Sequence, residues 1–248
     1  MKNIKKIIDL FLKTERKKFH GSMDPTEVLG FLFLLKTKKI TNFVESGRQY
    51  GYSTLFLSKF ANLEKYHFTS IDIPANEKIK KFCLKYNSNS KYVSLLEGDF
   101  YYKIRDILKS NKKIAILVDG PKGLPIYIFS YILFNNYKNL EFIFFDNFIY
   151  SSLLNIFFKK EYNIKNLKNL LRKDIIFNKE FLEIEKRQSL KNNPLSYDFT
   201  NRKINDFAYI CKEDVKKSYF RIILAYIIFI ILRLLTVKHL ALKYLNIK

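Results

Sequence analysis

Residues 42–59 read NFVESGRQYGYSTLFLSK: a short apolar run, an acid at Glu45, glycines at 47 and 51, and then a second apolar pattern opened by Ser53 and Thr54. The first half has the length and composition of a buried strand and the second the spacing of a helix, so the stretch reads as a strand turning into a helix through a glycine loop. Gly47 and Gly51 are four apart and lack the G-x-G-x-x-G spacing of the usual dinucleotide fingerprint, which weakens a nicotinamide-dinucleotide reading. Glu45 would make an unfavourable neighbour for a pyrophosphate and suits a cationic or hydroxyl-bearing ligand better. Glycine in this loop would let the backbone approach a ligand closely, with the helix opening at Ser53.

Outward from this turn the same unit recurs. ITNFVES (40–46), HFTSID (67–72), KYVSLL (91–96), KIAILVD (113–119) and LEFIFFD (140–146) are short runs rich in β-branched or aromatic residues, 20 to 28 residues apart. Each interval holds a helix, which is the rhythm of repeated βα units on a parallel sheet. Two later runs, FLEIE (181–185) and DFAYICK (206–212), are expected to close the sheet as an antiparallel pair. The fold expected is therefore α/β: a Rossmann-like, doubly wound, mostly parallel seven-stranded sheet with helices on both faces and an antiparallel last strand, plus a C-terminal hydrophobic helix. Four strands end on or beside an acid, Glu45, Asp72, Asp119 and Asp146, and the third is followed by Gly98 and Asp99. Ligands of open α/β sheets bind beyond the carboxyl ends of the strands, so these residues outline a site.

The 248-residue chain divides into a basic amphipathic helix over 1–22, a single α/β domain over 23–215 and a hydrophobic tail over 216–248. Ile4, Ile7, Ile8 and Phe11 share one side of the first helix, and its short apolar segment does not fit a secretory signal. Asp24, Pro25 and Glu27 mark the start of a second helix running to about Lys36. Lys and Arg number 45 against 23 Asp and Glu, a formal +22, which attracts phosphate-bearing partners without choosing among them. The lysines are spread along the whole chain, so most are read as solvated and a dedicated nucleic-acid surface as the lesser alternative. Cys83 and Cys211 are isolated and His20 and His67 stand alone, so neither a disulfide framework nor a zinc site is indicated. From Ile222 to Val237 the tail is almost wholly apolar, interrupted by Arg233. A membrane-bound helix and a buried or partner-docked terminal helix both fit it.

VESGRQYGYST resembles motif I of the class I S-adenosylmethionine-dependent methyltransferases, in the E-x-G-x-x-x-G-Y-S form of the catechol-type and caffeoyl-CoA-type O-methyltransferases. The resemblance runs from about Pro25 to Tyr150, half of the chain. It implies S-adenosylmethionine as cofactor, with Glu45, Gly47, Gly51, Tyr52 and Ser53 bordering its methionine part, Asp72 receiving the ribose hydroxyls, and Gly98 and Asp99 near the adenine. A carboxylate has the lone pairs to accept both hydroxyls at once.

The resemblance extends to LVDGPKGLPIY and FFDNF, after the fourth and fifth strands. In metal-dependent members of the family these positions, here Asp119, Asp146 and Asn147, hold a magnesium-type ion, and Lys122 stands where the family has its base. Asp119 thus belongs to the cofactor rim, the metal set and the catalytic pair. A hard cation would bind the substrate hydroxyl and lower its pKa, and Lys122 would take the proton if its own pKa were depressed. Gly120 and Pro121 depart from the Ala or His and variable residue of the family pattern. The implied reaction is O-methylation of a small-molecule or glycan hydroxyl. The expected location is the cytoplasm, where the membrane-bound reading of the tail would attach residues 219–238 to the anionic inner face of the cell membrane. The alternatives are a nucleic-acid methyltransferase of the same fold, favoured by the charge, and a non-catalytic membrane-anchored module. The absence of Asn/Asp-Pro-Pro-Tyr after the fourth strand counts against base N-methylation.

Overall fold

The computed structural model describes residues 2–14, 23, 25–73, 77–86, 89–146, 165–166, 208–215 and 218–245. Its strands are β1 (Asn42–Ser46), β2 (His67–Asp72), β3 (Val93–Glu97), β4 (Ile114–Val118), β5 (Leu140–Phe145), β6 (Lys165–Asn166) and β7 (Ala208–Cys211), in the spatial order 3-2-1-4-5-7-6. The first five are parallel; β7 runs antiparallel to β5 and the two-residue β6 antiparallel to β7. The chain winds outward from β1 through β2 to β3, then returns to β4 on the other side of β1. The crevice beyond Ser46 and Val118, paired in register, is therefore the topological switch point of the sheet.

The helices are α1 (Lys2–Lys13), α2 (Pro25–Thr37), α3 (Tyr52–Glu64), α4 (Glu77–Tyr86), α5 (Phe100–Leu108), α6 (Leu124–Asn136) and α7 (Tyr219–Leu245). Strand β4, IAILV, is buried at every position, as a strand covered on both faces must be. Its side chains alternate between two cores. Ala115 and Leu117 join Phe43, Phe142 and Phe144 under α1, α2 and α3, while Ile114, Ile116 and Val118 join Val44, Ile143 and Phe145 under α5, α6 and α7.

Helices α2 and α6 are apolar all the way round, and such a helix is stable only when covered on both sides. The second cover comes from the chain ends. Helix α1 buries Ile4, Ile7 and Phe11 against α3 and α2, so this segment is part of the core and not a separate appendage. Helix α7 lies on α6, burying Ala225 and Phe229, the latter stacked on Phe129 with ring centroids 5.1 Å apart. The membrane-spanning reading of the tail is corrected here: no described helix is long and apolar enough to cross a membrane. One side of α7 is committed to the domain and carries Arg233 toward an acid on α5.

The β3 strand begins at Val93, two residues later than the sequence run, because Lys91 and Tyr92 lie in a turn closed by the Ser90 and Val93 backbones. The expected cap at Asp24 and the expected strand at 181–185 lie outside the described residues.

Candidate functional site

The parallel ladder continues past the strand ends and sets the loops side by side. Gly47 N–H donates to Ile71 O (3.0 Å), Gly98 N–H to Asp72 O (2.8 Å), Asp119 N–H to Ser46 O (2.8 Å) and Asp146 N–H to Val118 O (2.8 Å). The loops after β1, β2, β3 and β4, with Arg233 of α7, line a cavity of about 620 Å³, within the range of small-molecule sites. Gly47, Asp72, Gly98, Asp99, Asp119 and Gly120 form its rim, and Ile71, Ile73, Phe100 and Tyr101 form an apolar side.

Gly47 has φ +89°, and a Cβ on it would stand 2.6 Å from Gly120 N. Its lack of a side chain serves the contact between the β1 and β4 loops as well as the cavity. Gly51 caps α3 in a left-handed conformation that glycine adopts without cost. Asp72 anchors the intervening loop: Oδ2 accepts from Arg48 N–H (3.0 Å) and Gln49 N–H (2.7 Å), and Oδ1 from Ile73 N–H (2.8 Å). Cys83 on α4 donates its thiol to Gln49 O at 2.8 Å and tightens the same loop.

Glu45 stands behind the cavity and not in its wall. It is fully buried, and its carboxylate accepts from Ser53 Oγ (2.5 Å), Thr54 Oγ1 (2.6 Å) and Ser70 Oγ (2.6 Å). Burial raises its pKa against the opposing pull of these three hydroxyls. The acid, Ser53 and the buried Tyr52 thus brace β1, β2 and the start of α3 from within; the ligand-facing role expected of Glu45 is replaced by an internal one. Of the nine positions carried over for the cofactor, Gly47, Asp72, Gly98, Asp99 and Asp119 line the cavity, and Glu45, Gly51, Tyr52 and Ser53 support it.

At the other end, Asp99 caps α5 by accepting from Tyr101 N–H at 2.8 Å, and its second oxygen pairs with Arg233 of α7. The guanidinium also lies over the Tyr101 ring, 4.5 Å from its centroid, a cation–π arrangement. Burial pushes the Tyr101 phenol up, so it stays protonated. Arg233 is a cavity residue that the sequence reading treated only as an interruption of an apolar run. The apolar girth of α6 was the available signal, since it demands a covering element.

Beyond β4 and β5, Lys122 Nζ lies 3.1 Å from Asp119 Oδ1 and 2.9 Å from Asp146 Oδ2. Burial, with Asp146 alongside, pushes Asp119 up to about 8, so it carries a proton at neutral pH. Burial also acts to raise Asp146, but hydrogen bonds with Glu27, Asp119 and Lys122 outweigh it and hold that carboxyl below its ordinary range. Glu27 of α2, read from sequence as part of a helix start, is buried beside this cluster. For Lys122 partial burial acts downward and the two carboxylates upward, and the carboxylates win. The depressed lysine pKa needed for a free base is thus not what its neighbours produce; Lys122 is an ammonium clamped between two acids.

The described residues fit S-adenosylmethionine: the cavity has the volume, an apolar lining that includes Ile71, Ile73, Phe100 and Tyr101, and the carboxylates of Asp72, Asp99 and Asp119. They do not fit a divalent ion in the same way. Asp119 and Asp146 converge on the Lys122 ammonium, Asn147 lies outside the described residues, and among those described no three His, Cys, Asp or Glu side chains are placed to hold a metal.

No family model matches the chain, and no curated protein does. Among solved structures it is similar to an SAH-bound methyltransferase of Podospora anserina, PaMTH1, at 14% identity and a TM-score of 0.46 over 87% of this chain and 88% of that one. It is also similar to an O-methyltransferase of Bacillus cereus in complex with SAH, at 17% identity and a TM-score of 0.39 over 59% of this chain and 66% of that one.

Proposed function

We propose that the protein is an S-adenosylmethionine-dependent methyltransferase acting on a hydroxyl of a small molecule or glycan. The observation that carries the reading is the cavity at the switch point, with Asp72 at the end of β2, Asp99 after β3 and Asp119 after β4 in its lining, and Lys122 paired with Asp119. The bound cofactor supplies an electrophilic methyl on a sulfonium; what the chain supplies is alignment and charge. Asp72 and the loop it anchors would hold the ribose, and the apolar lining that includes Ile73 and Tyr101, near Gly98 and Asp99, the adenine.

On the acceptor side, Lys122 is half exposed and positively charged, suited to stabilise a hydroxyl as it becomes an oxyanion. The ionised Asp146 holds Lys122 as an ammonium, Asp119 remains protonated, and the acceptor's proton passes to solvent. The balance is one methyl moved from sulfur to oxygen, one proton moved from the hydroxyl to solvent, and a neutral thioether left behind. No divalent ion enters this scheme.

Calorimetric titration with S-adenosylhomocysteine, with and without Mg²⁺, tests it. Binding in the micromolar range, unchanged by Mg²⁺ in the presence of a hydroxyl acceptor analogue, is the expected result. Absence of binding in both conditions overturns the function, and a requirement for Mg²⁺ overturns the metal-free scheme.

A further inference from the structure

Helix α7 has two long faces of opposite character. Toward the domain it presents Ala225 and Phe229 to α6 and Arg233 to Asp99. On the other side Ile223, Ile227, Ile230, Ile231, Leu234 and Leu235 are exposed, Ile227 at 50% and Leu234 at 65%. At 100° per residue these six fall within an arc of about 140°, turned away from the three docked positions. Tyr219 and Phe220, exposed at 83% and 75%, open the helix beside the exposed Arg221. An apolar stripe this long is not left to water without purpose.

We propose that α7 is an interfacial anchor, docked by its inner face on α6 while its outer stripe sinks into the headgroup region of an anionic bilayer. Three observations choose a membrane over a second copy of the chain. The formal charge of +22 sets two copies against each other but draws the protein to an anionic leaflet. Exposed Tyr and Phe at the helix start, with arginine next to them, match the residues that settle at the membrane–water boundary. The helix is also tied to the domain through Phe229 and Arg233, and no described helix is long and apolar enough to cross, so it lies on the surface. Since Arg233 also lines the cavity, the outer stripe and the cavity wall are opposite sides of the same two turns, and the site is held at the bilayer.

Flotation of the full chain with phosphatidylcholine vesicles, and with vesicles that also contain phosphatidylglycerol, tests the proposal. The protein floats with the anionic vesicles and not with the neutral ones, and the double variant Ile227→Glu, Leu234→Glu lowers that partitioning by at least about tenfold with its unfolding transition unchanged. Failure of the wild type to float with anionic vesicles overturns the proposal, as does a double variant that floats like the wild type. A wild-type dimer in sedimentation equilibrium that the double variant converts to monomer also overturns it, since a second copy then covers the stripe. The inference does not rest on the cofactor reading: S-adenosylhomocysteine titration of the same samples without vesicles reports separately on the cavity.

Discussion

Arg233 and Asp99, 134 positions apart in the chain, form an ion pair that joins the last helix to the start of α5 at the mouth of the cavity. Both side chains are about a third exposed or less, so the attraction is neither fully screened nor deeply buried. A double-mutant cycle on thermal stability with Arg233→Ala and Asp99→Asn should return a coupling energy of about 0.5–1 kcal/mol. A coupling of zero would mean that the two groups do not meet in solution.

Asp119 makes the domain sensitive to rising pH. Its carboxyl is raised from 3.8 unfolded to about 8 folded, so the native state holds a proton that the unfolded chain releases. Between these values the native state binds more protons, and its stability therefore falls as pH rises through the window and levels off above about 8. Asp146 acts in the opposite sense, contributing stability above its ordinary carboxylate range that is lost on acidification. Melting temperatures measured from pH 5 to 9 should decline up to about pH 8 and level off beyond it. In Asp119→Asn, whose amide keeps a donor toward Asp146, that part of the decline should vanish. An unchanged pH profile in the variant would assign the titration elsewhere.

Glu45 is an internal brace, and this distinguishes it from Asp72. Glu45→Ala strands three buried hydroxyls and opens a cavity, with an expected loss of about 3 kcal/mol in urea unfolding. Wherever the variant remains folded, its affinity for S-adenosylhomocysteine should match the wild type within a few-fold. Asp72→Ala should show the reverse pattern, a modest change in stability and a large loss of affinity. Equal losses of affinity in both would return Glu45 to the cavity wall.

Gly47→Val puts a β-branched residue at φ +89° against the Gly120 backbone. The backbone strain and the displaced β4 loop should together cost about 2–4 kcal/mol. Loss of cofactor binding in this variant should therefore come with a lowered unfolding midpoint. Intact stability with abolished binding would show that the glycine serves the ligand alone.

The central strands were legible because their neighbours on both sides leave no alternative: β1, β2, β4 and β5 are short apolar runs that end on acids, and each begins within two residues of its expected place. What stayed hidden was always a partner distant in sequence. Hydropathy reports that Ile222–Val237 is apolar but not that Phe229 faces Phe129 while Ile227 faces outward. Lys122 reads as a base beside Asp119, and the approach of Asp146 from the next strand joins Asp119 in raising its pKa. Glu45 sits in a ligand-binding motif, yet Ser70 from β2 completes a closed set of donors around it.

The placement of Arg233 bears on how the protein is made. Helices α1, α2 and α3 and strand β1 contact one another within the first quarter of the chain and can assemble as soon as they leave the ribosome. The cavity mouth cannot, because one of its walls is supplied 134 residues after Asp99. Translation products that stop before Arg233 would carry the strand-end loops but an unfinished pocket, so the capacity to hold a ligand there is completed only after every described strand of the sheet has been made.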